Sequence, residues 1–323
     1  MRIAATAVCL SLAVAGGVHA KEQFPSQPIT IVVPNPPGGM NQITAQPLSV
    51  VMEKITGQPV VVVNKPGGTG AVGTAYVANQ KPDGTHLLVT TPNLYLVIEK
   101  NKALHVESPY RLDQIQPVAL TSADPLIFVV QAESPYHSLK DFVSAARSKP
   151  GEMAFSSSGP YGITHVPMEM FLHAAKLKLR HVPTTGGGPA IVQLLGGHVQ
   201  ATGGGVAAVK GHIAAGKLRA LASWGAKRHP ALPDVPTFKE LGYDAEAYLW
   251  VGLFTTAGLP AGTLKALRKV VEKTIHSADY QDAMKKSNVV IDYRDTPQFV
   301  KFFKEDHARL AKVVKRIAAE EKK

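Results

Sequence analysis

The chain has one cysteine, Cys9, only two tryptophans, and not a single charged residue in the stretch "ITIVVPNPPGGMNQI" at residues 29–43. Cys9 lies inside the first twenty residues. A chain that loses them has no thiol, which excludes a disulfide framework, a cysteine nucleophile and a thiolate metal site. Val8 precedes Cys9 and almost no apolar run lies upstream, which argues against a lipid-anchored cysteine. Acidic residues are also scarce, 24 against 35 Lys and Arg, for a formal charge of +11. Such a charge suits an anionic ligand or surface. It does not suit nucleic acid here, because the densest basic run, residues 301–323, is interleaved with Glu305, Asp306, Glu320 and Glu321. From Val300 just before it through Phe303, Leu310, Val313, Val314 and Ile317, apolar residues recur at helical spacing, so the charges form a solvated helix face. Basic and aromatic residues are not interleaved in the way that stacks bases.

Long apolar runs are missing as well, except at the start. "MRIAATAVCLSLAVAGGVHA" has one Arg, an apolar centre and a small-residue end at Val18-His19-Ala20, the pattern of a leader cleaved near Ala20 on export. A membrane anchor needs about 20 strongly apolar residues. The remaining chain, within a total of 323 residues at 45% hydrophobic content, suffices for one large or two medium globular domains.

From Pro28 on, β-branched runs alternate with helical patterns. Strands are expected at 29–33, 60–63, 87–90, 127–130, 218–223 and 250–254, with helices at 48–55, 139–148, 166–175 and 261–275. This alternation predicts βαβ units and an α/β fold with parallel-rich sheets, whose ligands sit where strand carboxyl ends meet helix amino ends. No Gly/Ser-rich linker divides the chain. Two lobes would then be joined by extended hinge strands, expected at 118–130 (interrupted by Ala123-Asp124-Pro125) and 218–224. The resulting division is residues 21–122 plus 224–323 for one lobe and 123–223 for the other. Pro47 falls inside the helix expected after Gly39, so that helix either starts late, near Gln46, or is kinked.

Three junctions share one grammar, a strand running into glycines: the opening stretch, "VVVVNKPGGTGAVG" (60–73) and "MAFSSSGPYGITH" (153–165). The second contains G-x-G-x-x-G at Gly68, Gly70 and Gly73. The next strand, however, ends Thr90-Thr91-Pro92-Asn93 without the acid that would hold a ribose, and Asp83 lies in a "KPDG" turn. A tight strand-to-helix turn explains these glycines more simply than a dinucleotide does. "SSSGPYG" invites a nucleophile reading, but it is not the G-x-S-x-G elbow. His165, His173, His181 and His198 form no metal-ligand motif and no triad by spacing, so a secreted serine hydrolase using Ser156, Ser157 or Ser158 stands only as the alternative. The third reading is anion recognition by backbone. Uncapped helix amino ends offer free N–H groups and about half a positive charge, glycines let an anion approach, and hydroxyls add donors.

Six segments in order, "FPSQPITIVVPNPPGG", "GQPVVVVNKPGGTGAVGTAYVANQKPDGTHLLV", "FSSSGPYGITHVPMEMF", "VPTTGGGPAIVQLLGGHV", "GKLRALASWGAKRHPALPDVPTFKELGY" and "WVGLFTTAGLP", resemble the Bug-type extracytoplasmic solute receptors of tripartite tricarboxylate transporters. The resemblance spans essentially all of the chain beyond the leader. It implies a bilobed periplasmic binding protein of type II, with no catalysis and no cofactor. The expected protein is a periplasmic monomer that closes on a small carboxylate and presents it to membrane permease subunits or to a sensor. Carried over by position, the ligand residues are Pro37, Gly38, Gly39, Met40, Asn41 and Gln42 in the first loop and Ser156, Ser157, Ser158, Gly159 and Thr164 in the second. Thr91, Asn93, Thr184, Thr185 and Gly186 come from flanking loops. Many members have aspartate at the place of Gln42 and arginine at that of Gln46, and "ATGGGVAAVK" lacks the acid expected after "GGHVQ". A cleft so poor in acid should prefer a carboxylate without an ammonium group. Tyr95, Tyr161, Tyr248 and Trp250 either reach the cleft or pack in the cores.

Overall fold

The structure is a computed structural model that describes residues 24–321. The leader expected over residues 1–20 and its cleavage near Ala20 lie outside the described residues.

The chain runs β1 (Ile29–Val33), α1 (Met40–Thr56), β2 (Val60–Asn64), α2 (Ala71–Ala78), β3 (His86–Thr90), α3 (Asn93–Ala103) and β4 (Ile115–Gln131). It continues through α4 (Leu139–Ser148), β5 (Ala154–Ser157), α5 (Val166–Ala175), β6 (Arg180–Pro183), α6 (Gly187–Leu195), β7 (Ala201–Gly205), α7 (Val206–Ala214) and β8 (Leu218–Ser223). It ends with β9 (Tyr248–Thr256), α8 (Ala261–His276), α9 (Ala278–Lys286), β10 (Ile291–Arg294) and α10 (Thr296–Glu320). The strands follow the order β2-β1-β3-β9-β4-β7-β5-β6, with β8 and β10 also paired to β4. The flanks are parallel: β1 pairs with β2 and β3, and β5 with β6 and β7. The centre is antiparallel, through β3 with β9 and β4 with β9, β7, β8 and β10. Burial of Ile29, Ile31, Val32 and Val33 fits a parallel strand covered by helices on both faces.

β4 joins the two halves. From Ile115 to Pro125 it pairs with β9, and from Leu126 onward with β7 and β8. The break expected at Ala123-Asp124-Pro125 is therefore not a break. Pro125 lies opposite Tyr248 at the end of one ladder, and register shifts next to Pro117 absorb that second proline. The return crossing is short: β8 ends at Ser223, Trp224 N–H donates to Leu126 O at 2.9 Å, and Ala247 N–H donates to Trp224 O at 2.9 Å.

Helix α1 does not start late. It begins at Met40 and continues unbroken through Pro47 to Thr56. The proline removes one intrahelical bond, while burial of Thr44, Ala45, Leu48, Val51 and Met52 holds the helix on the sheet. In the first half, Tyr95 and Trp250 are fully buried around Asp306, whose Oδ2 accepts from Tyr95 Oη at 2.5 Å and Trp250 Nε1 at 2.7 Å. In the second half, Phe128, Phe171, Trp224 and Phe238 pack ring against ring. Tyr161 is buried and Tyr248 half-buried, and none of these four expected aromatics lines the cavity described below. Helix α10 reaches the second half, where Glu321 bonds Tyr161 Oη and Glu320 lies 3.3 Å from His173 Nδ1.

Candidate functional site

A cavity of ≈ 60 Å³ lies between the two halves of the sheet. Asn35, Pro36, Gly39, Met40 and Asn41 line it from the end of β1 and the start of α1, Thr91 and Asn93 from the start of α3, and Leu249 from β9. The second half contributes Ser158, Ile163, Thr164, Gly187, Gly188, Ile191, Ala208 and the β7 glycines Gly203, Gly204 and Gly205. No Asp, Glu, Lys, Arg or His is among them.

The polarity comes from helix ends. Helices α1, α3, α5, α6 and α7 begin at or beside the cavity, and none has a side-chain cap: their N-cap residues are Gly39, Pro92, His165, Gly186 and Gly205. Helices α4, α9 and α10 start elsewhere and are capped by Ser138, Ser277 and Asp295, although α2 and α8 are uncapped too. An uncapped end keeps free N–H donors and a partial positive charge, worth about 0.3–2 kcal/mol toward an anion, although at α5 the His165 and Val166 N–H groups already bond Gly162 O and Pro167 has none. One end binds weakly. Several ends converging where water is excluded form an anion site without a cationic side chain.

Side chains complete the set of donors. Ser158 N–H donates to Thr164 Oγ1 at 2.7 Å, and the Thr164 and Ser158 hydroxyls bond each other at 2.9 Å beside the cavity. Asn93 Oδ1 accepts from Ile163 N–H at 2.7 Å across the two halves, with Nδ2 left as a donor. Asn41 Nδ2 donates to Asn35 Oδ1 at 2.6 Å, while Asn41 Oδ1 is buried without a partner among the described residues.

Among the residues expected to bind ligand, Gly39, Met40, Asn41, Thr91, Asn93, Ser158 and Thr164 line the cavity, and the other nine do not. Pro37 and Gly38 are exposed at the outer tip of their loop, where Gly38 turns with φ +91°. Gln42 is rotated off the lining face of α1, and its Oε1 accepts from Asn64 Nδ2 at 2.9 Å. Ser156 and Ser157 still belong to β5 and are fully buried, Ser156 donating to Ala190 O at 2.8 Å. Gly159 packs on Thr69 of the G-x-G-x-x-G turn. Thr184 bonds Ser157 O and Gly186 O, both at 2.8 Å, Thr185 is exposed, and Gly186 abuts Pro36. Gly187, Gly188, Gly203, Gly204 and Gly205 were missed, although "TTGGGP" and "ATGGGV" repeat the strand-glycine-helix grammar. Ile191, Ala208 and Leu249 carry no comparable signal.

The serine loop does contain a Ser–His pair. Ser157 Oγ lies 2.7 Å from His181 Nε2. The His181 ring stacks on His165 with centroids 3.9 Å apart and 8° between planes, and on Phe155 at 4.9 Å. Burial, and then the neighbouring His165, push its pKa down to about 3. So weak a base beside a fully buried hydroxyl supports the loop and does not activate a nucleophile.

A cleft between two α/β halves, lined by helix amino ends and free of charged side chains, defines a solute-binding protein of the periplasmic type. The family model of the tripartite tricarboxylate transporter family receptor matches residues 44–319, and the chain belongs to that family. It is similar to protein BugT of Bordetella pertussis, with 32% identity over 258 residues, 79% of this chain and 78% of BugT. Among solved structures, a periplasmic transporter superposes with a TM-score of 0.84 at 30% identity, covering 90% of this chain and 97% of that one. MatC of Rhodopseudomonas palustris with bound malate gives 0.83 at 26% identity, covering 90% of this chain and all (100%) of MatC. The chain is thus a periplasmic α/β solute receptor of the tripartite tricarboxylate type, a family whose members bind small carboxylates and work with membrane transporter components.

Proposed function

We propose that this receptor captures a compact aliphatic carboxylate between its two halves and hands it, chemically unchanged, to the membrane subunits of its transporter. The convergence of uncapped helix amino ends on a cavity without charged side chains carries this reading. The lobes are residues 21–122 with 224–323, and 123–223, hinged where β4 changes partner and where β8 returns. Gly39, Met40, Asn41, Thr91, Asn93, Ser158 and Thr164 contact the cargo, and the remaining loop residues hold these in place. The protein acts as an exported monomer cleaved near Ala20: residues 1–20 have the leader pattern, and one chain supplies every residue lining the cavity. A loaded, closed receptor is also the form that a sensor would read.

A thermal-shift screen of residues 21–323 against carboxylates, their amides and esters, and nicotinamide nucleotides tests the proposal. A carboxylate at 100 times its dissociation constant adds about 2.7 kcal/mol, a rise of several degrees in Tm. Shifts with carboxylates that vanish for their amides and esters are expected. Shifts with nucleotides alone, or turnover of the ester, overturn the proposal.

A further inference from the structure

We propose that the last turn of α10 positions the serine loop for cargo: Glu321, acting through Tyr161, holds residues 158–164 in their binding geometry while the two halves are closed. The inference rests on the carboxylate-receptor reading of the cleft and deepens it by naming positioning residues outside the cavity.

Helix α10 is locked to the first half of the fold. Its buried Asp306 accepts from Tyr95 Oη at 2.5 Å and Trp250 Nε1 at 2.7 Å, and its His307 Nε2 lies 2.9 Å from Glu99 Oε1. From Asp306 the helix runs on to Glu321, about 22 Å further along its axis. The end of α10 therefore travels with the first half, yet Glu321 accepts a hydrogen bond from Tyr161 Oη in the second.

Tyr161 sits between Ser158 and Thr164, which line the cavity, and is 4% exposed. Its backbone is left-handed, with φ +56°, a costly conformation for a bulky side chain. Such strain persists only where the surroundings fix it, and it gathers at ligand clamps. Two bonds of Tyr161 fix it here. Its N–H donates to His165 Nδ1 at 2.9 Å within the second half, and its hydroxyl donates to Glu321 in the first. Separation of the halves spares the former and breaks the latter. The neighbouring His173–Glu320 pair is half exposed on both sides and adds little. Glu321 is outside the cavity lining, so its effect on cargo passes through the loop. Asn93 holds Ile163 from the cavity side, so losing the Glu321 bond weakens binding without abolishing it.

The experiment compares wild type, Tyr161→Phe, Glu321→Ala, Glu321→Gln and the double variant Tyr161→Phe/Glu321→Ala by isothermal titration and stopped flow. The probe is whichever of acetate, propionate, succinate and glutarate raises the wild-type Tm most. Tyr161→Phe and Glu321→Ala should each raise Kd about three- to tenfold, the effect of one lost hydrogen bond. The change should lie in faster release at an unaltered association rate, because the bond forms after the cargo is seated. The double variant should bind no more weakly than the weaker single, since both changes remove the same bond. Glu321→Gln keeps an acceptor oxygen and should recover most of the affinity, and the unliganded Tm should match wild type throughout. Single variants within about twofold of wild type, additive losses in the double variant, or an unliganded Tm that falls while release is unchanged overturns the proposal and leaves the receptor reading standing. Failure of the wild type to bind any of the acids overturns the receptor reading itself, and this proposal with it.

Discussion

Asn93, in the first turn of α3, accepts a hydrogen bond at 2.7 Å from the backbone N–H of Ile163, which lies in the serine loop of the opposite half. The bond exists only when the two halves are together, so it contributes to closure and, through closure, to cargo affinity. Asn93→Ala removes it along with the Nδ2 donor. The expected result is cargo affinity reduced about tenfold by calorimetry, since each such bond is worth about 0.5–1.5 kcal/mol. Affinity equal to wild type would mean that the bond plays no part in closure.

The G-x-G-x-x-G turn, which holds no dinucleotide acid, meets the second half through Thr69. Thr69 has φ +59°, a costly conformation for a β-branched residue, and a Cβ built on Gly159 would lie 2.6 Å from its Oγ1. Gly159 itself has φ +133°. Gly159→Ala therefore obstructs closure. Cargo affinity is expected to fall at least about tenfold, and small-angle scattering should show the liganded variant more open than liganded wild type. Thr69→Gly in the same chain removes the clash and should recover part of the loss.

Gly39 caps α1 with extended backbone, φ −94° and ψ 174°, and no atom lies within 4 Å of the position a Cβ would take. Aspartate is accommodated there and would cap the helix with its own carboxylate. Gly39→Asp should leave the unliganded Tm unchanged or slightly raised and weaken carboxylate binding more than tenfold, because the anion site is occupied from within. Undiminished binding would mean that α1 does not contribute to the anion site.

The His165–His181 stack sets a pH dependence. The folded pKa of His181 is pushed down to about 3 from an ordinary 6.5. Between those values the unfolded chain takes up a proton that the folded chain does not, so stability is intact above about 6.5 and declines as pH falls toward 3. Thermal melts from pH 7 to pH 4 should show this decline, and His181→Gln should flatten it. An equal slope in the variant would place the acid sensitivity elsewhere.

Much of the secondary structure was legible because its signals are local. The β-branched run of β1, the amphipathic spacing of α4 and α5 and the span of β8 appear with the expected limits. Pro125 did not interrupt β4 and Pro47 did not delay α1, since a proline reports its own missing N–H and not whether the surrounding packing tolerates the loss. The glycine junctions correctly indicated where strands meet helices. Counting along the chain could not tell which side chain at a junction faces inward: Asn41 does and Gln42, its neighbour, does not, because successive helical residues differ by about 100°.

From sequence alone came the α/β class, the family resemblance, a single cysteine placed in the expected leader and the absence of charge from residues 29–43, all properties of residue type and spacing. Tertiary structure decided which helix ends share one cavity, that buried Ser157 bonds a half-buried His181 stacked on His165, that Thr69 meets Gly159, and that Asn41 Oδ1 has no partner among the described residues. Each of these depends on groups far apart in the chain, and only the folding of two sheet halves against each other brings them within bonding distance.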